Sequence, residues 1–234
     1  MKSRNLKKYI YEFISVFFAI SFAFLLDRWN DNRKERISEK TILTEIYNGL
    51  GRDSLDLQGD EFSIKYNIGA ISYFRRIVDG ISVDEDSLNS YYFLLTRDFL
   101  TVQNTSGYET LKSSGLEIIE DDSLRKSIIE LYEVEYKLFR KFTEEYDENQ
   151  YMRNYFTHIN NVIAPYFVFG GSGNLIGIDQ PIPISQKEKN LVKSYLLKLY
   201  INRYDRQRSI IGNKERIAEI RAQIREQLQE KAGF

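Results

Sequence analysis

The chain has few side chains suited to covalent or metal chemistry. It holds one histidine, His158, and no cysteine. Without cysteine there is no disulfide, thiolate nucleophile or zinc–thiolate site. A diiron bundle centre needs Glu-x-x-His on each of two helices, and Tyr155 stands three residues before the only histidine. A Ser-His-Asp triad would have to use His158, which lies among Tyr155 and Phe156 and reads better as a packed or interfacial residue. Gly170-Gly171-Ser172-Gly173-Asn174 has neither the Lys-Ser/Thr nor the directly following helix of a phosphate loop. The carboxylate pairs Glu144/Glu145 and Asp121/Asp122 read as solvated faces and helix caps, not as glycosidase acids. The expectation is no catalytic residue, no metal ligand and no cofactor.

Tyrosine is the one abundant polar aromatic, with 17 copies. Tyr132, Tyr136, Tyr146, Tyr151, Tyr155, Tyr195, Tyr200 and Tyr204 could line a ligand pocket between helices. The preferred reading places them at a bundle boundary, ring buried and hydroxyl wet, so a small-molecule ligand is not expected. Net charge is −1, which supplies no field to recruit nucleic acid. Apolar content of 42% with 29% charge fits a folded body facing water.

The elements that would position such residues begin with residues 1–36. Residues 1–8 form a basic tail (Lys2, Arg4, Lys7, Lys8). Residues 9–29 read as a transmembrane anchor, and residues 30–234 as a helical bundle domain. Phe13 to Leu26 is uninterrupted by charge, and Tyr9, Ile10 and Tyr11 extend the run beyond Glu12. A membrane helix needs roughly 20 apolar residues. Tyr9, Tyr11 and Trp29 fall where interfacial aromatics belong. Glu12, Ser15, Ala19 and Ala23 share one helix face, and small residues at that spacing let helices approach closely in lipid. A cleaved signal peptide is the rival reading, but no small-x-small site follows Leu26. A buried soluble helix is the third. The denser basic tail favours a cytoplasmic N-terminus with the bulk of the chain on the outer side of the membrane.

Beyond the anchor the signals are helical. All three prolines, Pro165, Pro181 and Pro183, sit in one stretch. Ser82–Glu85, Ser106–Glu109 and Ser185–Glu188 match the capping box, and Asp121 or Asp122 can cap a further start. These signals predict a helix from the anchor to about Val78, stopped by Gly80 and weakened at Gly49, Gly51 and Gly59. They predict others over Val83–Phe99, Tyr108–Ser114 (stopped by Gly115), Leu124–Asn160 and Gln186–Lys231. The fourth would carry a seam of Leu124, Ile128, Leu131, Leu138, Phe142 and Tyr146, and the last a coiled-coil-like stripe of Ile217, Ile220, Ile224 and Leu228. The two longest helices match as an antiparallel pair, with the shorter ones filling two more legs. Lys198 to Lys231, rich in Lys and Arg, reads as a solvated face, with lipid headgroups or an acidic partner as the alternative.

Two β-prone runs, Tyr166–Phe169 and Leu175–Ile178, flank the glycine-rich turn. Phe167, Phe169, Leu175 and Ile176 are candidates for partner contact at this tip. The alternative, which the reading prefers, is a loop that folds back to plug the end of the core.

Two segments carry a resemblance. One is the anchor followed by Trp29-Asn30-Asp31-Asn32-Arg33-Lys34. The other is Tyr108-Glu109-Thr110-Leu111-Lys112-Ser113-Ser114-Gly115 with Ile118-Ile119, Leu124-Arg125, Ile128 and Leu131-Tyr132. Over most of residues 5–135 the chain resembles a family of uncharacterised, N-terminally anchored helical proteins of Bacteroidetes. The resemblance implies a bacterial membrane location and supplies no catalytic residues. The expected fold is all-α: a transmembrane helix continuing into an elongated up-down four-helix-bundle-like domain, with a small irregular or hairpin loop near 165–184. The expected partners are the bilayer and a membrane protein or second copy of the chain. The expected role is that of an accessory or scaffold subunit, with an extracytoplasmic sensory or ligand-binding domain as the alternative.

Overall fold

The structure, a computed structural model, describes residues 2–97 and 102–230, with side chains at all of these but 2–10, 96 and 148. It is predominantly helical, as the pattern requires. Helix α1 (Lys2–Asp79) runs unbroken for 78 residues, about 117 Å at 1.5 Å per residue. Gly49, Gly51 and Gly59 do not interrupt it. Gly80 ends it at φ +77°, a conformation glycine adopts without strain. The chain then descends along α1 through a short 3₁₀ turn, α2 (Leu88–Thr96) and α3 (Ser106–Ser114), which stops at Gly115 with φ +100°. Helix α2 starts later and stops earlier than the predicted Val83–Phe99, with Arg97 already extended at φ −104° and ψ 140°; residues 98–101 lie outside the description. The close approach of α3 to α1 needs Gly107: a Cβ there would sit 2.8 Å from the backbone nitrogen of Ile46.

The caps divide by geometry. Ser185 and Glu188 form the full capping box at the start of α7 (Gln186–Glu230): the Ser185 backbone N–H donates to the Glu188 carboxylate at 2.7 Å, and the Glu188 N–H donates back to Ser185 Oγ at 3.3 Å. Asp121 caps α4 (Asp122–Glu130) by accepting from the Leu124 N–H at 2.7 Å. The other two predicted boxes do not form. Asp84, not Ser82, caps its turn, and Asn104 Oδ1 accepts from the Ser106 N–H ahead of α3.

The leg predicted as one helix over Leu124–Asn160 is broken. Between α4, α5 (Tyr136–Arg140) and α6 (Thr157–Ile163) lie π-helical turns at Leu131–Glu135, Lys141–Glu145 and Met152–Phe156. Tyr146 turns to an extended conformation, with φ −69° and ψ 115°, and stops the helix outright. Each π turn holds one residue more than the periodicity allows, so the buried face slips. The predicted seam holds through Leu131, then fails: Leu138 and Tyr146 are exposed while Tyr132, Tyr136 and Phe139 are buried.

Helix α7 returns antiparallel to α1. Lys193 pairs with Asp79 at 2.7 Å, Lys214 with Glu61 at 2.8 Å, and the Arg221 guanidinium stacks on Tyr47. Ile217, Ile220 and Ile224 are fully buried, and Leu228 is half-buried. The helices pack around two apolar clusters. One gathers Ile42–Ile64 of α1, Tyr108–Phe139 and Ile210–Ile224. The other gathers Ala70–Val78, Val83–Leu95, Tyr151–Ile182 and Val192–Leu199. Between them lies a buried polar layer: Asn67 donates to the carbonyls of Leu94 (2.6 Å) and Arg97 (3.0 Å), and Arg206 meets Asp60 at 3.7 Å.

The loop near 165–184 is a hairpin. Strands β1 (Phe167–Phe169) and β2 (Leu175–Ile178) pair antiparallel with a bulge at Val168/Phe169, and Gly173 turns at φ +79°.

Candidate interaction surfaces

Helix α1 projects well beyond the bundle. From Tyr11 to Ile37 every side chain is exposed except half-exposed Ser21, and burial begins only with Ser38 and Glu39. A dozen large apolar side chains lie bare, from Tyr11 and Phe13 through Phe17, Phe18, Phe22 and Phe24 to Leu26 and Trp29. Burying one such side chain is worth about 1.5–3 kcal/mol, so roughly 20 kcal/mol of possible burial is unused here. A soluble monomer seldom carries a contiguous apolar patch this large.

Glu12, Ser15, Ala19 and Ala23 all lie on this projection and are exposed, with Ser15 Oγ donating to the Glu12 carbonyl at 2.9 Å. Of the expected interfacial aromatics, Tyr11 and Trp29 are exposed, and the side chain of Tyr9 lies outside the description. The expectation of a span over 9–29 is not met within the described residues. Among them no helix is long and apolar enough to cross a membrane. The bare run Phe13–Leu26 covers about 21 Å of helix, against about 30 Å of hydrocarbon.

At the opposite end the hairpin divides its four candidate residues. Leu175 is buried and Phe167 half-buried in the second apolar cluster, where the Phe167 ring meets Tyr92 edge-on at 5.0 Å. Phe169 and Ile176 point outward, 60% and 51% exposed. The hairpin thus plugs the core with one face and shows two apolar side chains on the other.

The tyrosines separate into three groups: Tyr132, Tyr136, Tyr151 and Tyr155 are buried, Tyr195 is half-buried, and Tyr146, Tyr200 and Tyr204 are exposed, so the boundary position expected for the last three is not where they sit. Asp53 Oδ2 accepts from the Tyr136 hydroxyl at 2.7 Å, and its Oδ1 accepts from the Asn104 N–H at 2.8 Å. Burial raises the Asp53 carboxyl above its ordinary range, partly offset by those two hydrogen bonds. Burial likewise pushes the Tyr136 hydroxyl far up, with the Asp53 charge adding to it. No sequence signal marked Asp53, because a single acid inside a long helix looks like any solvated one. The cavity bounded by Phe74, Tyr92, Tyr151 and Phe156 holds about 10 Å³, room for roughly one water. His158 lies on the surface, stacked on Tyr195 at 4.6 Å. Among the described residues no group of three or more His, Asp or Glu could hold a metal ion.

Where α7 ends against α1, a groove of about 800 Å³ opens beside the projecting segment. Trp29, Arg33, Arg36 and Lys40 of α1 line one side, and Glu120, Leu228 and Glu230 contribute to the rest.

No family model, curated protein or solved structure matches the chain.

Proposed function

We propose that the chain is a membrane-anchored helical interaction protein, an accessory or scaffold subunit that acts by contact and not by catalysis. The observation that carries this reading is the bare apolar projection of α1, residues 11–29, which among the described residues belongs to neither apolar cluster. In this reading Tyr9 to Trp29 form a single-pass anchor, Tyr9, Tyr11 and Trp29 sit at the interfaces, and the rigid α1 holds the bundle clear of the lipid. The tail of Lys2, Arg4, Lys7 and Lys8 lies on the cytoplasmic side and the bundle outside the inner membrane. The bacterial setting is supported by the resemblance alone. Partner helices, from another membrane protein or a second copy, would meet Glu12, Ser15, Ala19 and Ala23 in the lipid. Phe169 and Ile176 offer a second contact at the distal tip. The ligand-binding alternative draws no support from the interior, which the buried tyrosines fill.

Flotation of the full chain with phosphatidylcholine vesicles tests the anchor. The protein is expected to rise with the vesicles and to resist alkaline extraction. Recovery in the dense fraction, as folded protein without detergent, would overturn the reading. The contact role is tested by A19L/A23L, which is expected to disrupt co-purification with the partner in mild detergent. Co-purification unaffected by that change would remove the lipid face from the account.

A further inference from the structure

Helix α7 carries an apolar ridge on the face turned from the core. Leu197, Ile201, Tyr204 and Ile211 follow one another at four-, three- and seven-residue steps and are 39–59% exposed. Beside this ridge a groove of about 660 Å³ opens between α1 and α7. Buried Ile71 and Leu196 floor it, and Ser72, Arg75 and Tyr200 stand at its sides. Every residue that lines it is described. Below the groove, toward the projecting end of α1, the charges come in a fixed order. The Lys193–Asp79, Arg206–Asp60 and Lys214–Glu61 pairs set the antiparallel register, so Asp205 and Arg208 of α7 stand about level with Lys65 and Glu61 of α1. Followed away from the projecting end, α1 presents acid then base (Glu61, Lys65), and α7 presents base then acid (Arg208, Asp205). Lys65 and Lys214 share Glu61, one on each oxygen at 3.2 and 2.8 Å, which leaves Lys65 partly uncompensated. Asp205 and Arg208 are exposed and make no ion pair among the described residues.

We infer that this face pairs with a second copy of the chain, lying side by side and in the same direction about a two-fold axis along the helices. In that arrangement α7 of each copy lies against α1 of the other, antiparallel to it. Lys65 meets Asp205 of the second copy, and Glu61 meets Arg208 of the second copy, each pair being formed twice by the symmetry. An inverted copy would set acid on acid and base on base, so the order of charge selects one orientation. Leu197 and Ile201 of the second copy come about level with Ser72, whose small side chain leaves the groove open to them. Each copy supplies one ridge and one groove, so the contact closes at two chains and covers apolar surface on both. The charge order stands without lipid, so the inference goes beyond the anchored reading. Two anchors entering one bilayer would take the same mutual orientation.

The test measures the mass of the full chain by light scattering in a mild non-ionic detergent, with the detergent contribution subtracted. About twice 27.7 kDa is expected. D205R/R208D keeps composition and net charge but reverses the order of the two charges. It is expected to weaken the dimer at least about tenfold, because symmetry counts each reversed pair twice. Both side chains are exposed, so an unchanged thermal melt confirms that the variant folds. A19L/A23L is expected to leave the mass at two chains. The chain has no cysteine of its own, so K65C and D205C each carry a single thiol. Mixed together and mildly oxidised, they are expected to cross-link to one another and neither to itself. A monomeric chain, a dimer untouched by D205R/R208D, a dimer lost in A19L/A23L, or cross-linking confined to like variants would overturn the inference. Vesicle flotation reads the anchor separately: a chain that floats as a monomer loses only the dimer, and a dimer that does not float loses only the anchor.

Discussion

Asp53 sits at 1% exposure inside a helix pair, held by the Asn104 N–H and the Tyr136 hydroxyl. Because burial raises its folded-state value above the ordinary 3.8, the folded protein binds this proton more tightly than the unfolded chain does. Its contribution to stability is therefore present in full below the unfolded value and is lost as pH rises through the raised folded value. In D53N, Oδ1 can still accept from Asn104, and the new amide can donate to the Tyr136 oxygen. The stability of the native protein minus that of D53N should be greatest below the ordinary carboxyl value of 3.8 and decline as pH rises from there through the raised folded value. Urea melts of both proteins across that range read the difference directly, and a flat or rising difference would refute the assignment. Glu133 illustrates the opposite sign at the surface. Hydrogen bonds from Lys137, Tyr108 and Lys112 hold it down to about 2, so it supports the fold above its unfolded value of 4.5 and ceases to as pH falls through about 2. Subtracting D53N from the native protein cancels that background.

Among the elements, the two long helices were legible because their evidence is local and repeated. Gly80 and the Ser185–Glu188 box bound them, and Ile217, Ile220 and Ile224 mark the buried stripe of α7 as a 3.5-residue seam would. The fourth leg was not legible, since nothing in Leu131–Glu135 announces a π turn. The turn is set by the tertiary demand that Tyr132 stack on Tyr108 (4.5 Å between centroids) while Tyr136 reaches Asp53. Two adjacent residues measure the slip. Phe139→Ala should cost about 3–5 kcal/mol, as a buried phenyl ring removed from a core does. Leu138→Ala, which the simple periodicity would make the damaging change, should stay within about 0.5 kcal/mol. Chemical denaturation of both variants decides between the two registers, and the reverse ordering would place the seam back on the unbroken period. The hairpin was legible as strands and turn, but not as to which face packs. Alternation cannot say whether Leu175 or Ile176 points inward until the bulge at Val168/Phe169 is known.

At the scale of the molecule, stability and attachment are built from separate parts of one helix. Both apolar clusters lie beyond residue 41 of α1, and no residue from Tyr11 to Ile37 belongs to either. The cross-links that fix α7 to α1, from Lys193–Asp79 to Arg221 on Tyr47, also lie beyond that point. Removing residues 1–36 should therefore leave the unfolding free energy within about 0.5 kcal/mol of the full chain, because a helix exposed on all sides adds little beyond its own marginal propensity. The urea m-value should hardly change, since the segment exposes little new surface on unfolding. Solubility should change sharply: the shortened chain is expected to remain monodisperse in buffer where the full chain requires detergent or vesicles. A loss of more than about 2 kcal/mol on truncation would mean that the projecting segment folds back onto the bundle and satisfies its apolar side chains there. The same aromatic run would then be part of the core, and lipid would have no role in burying it.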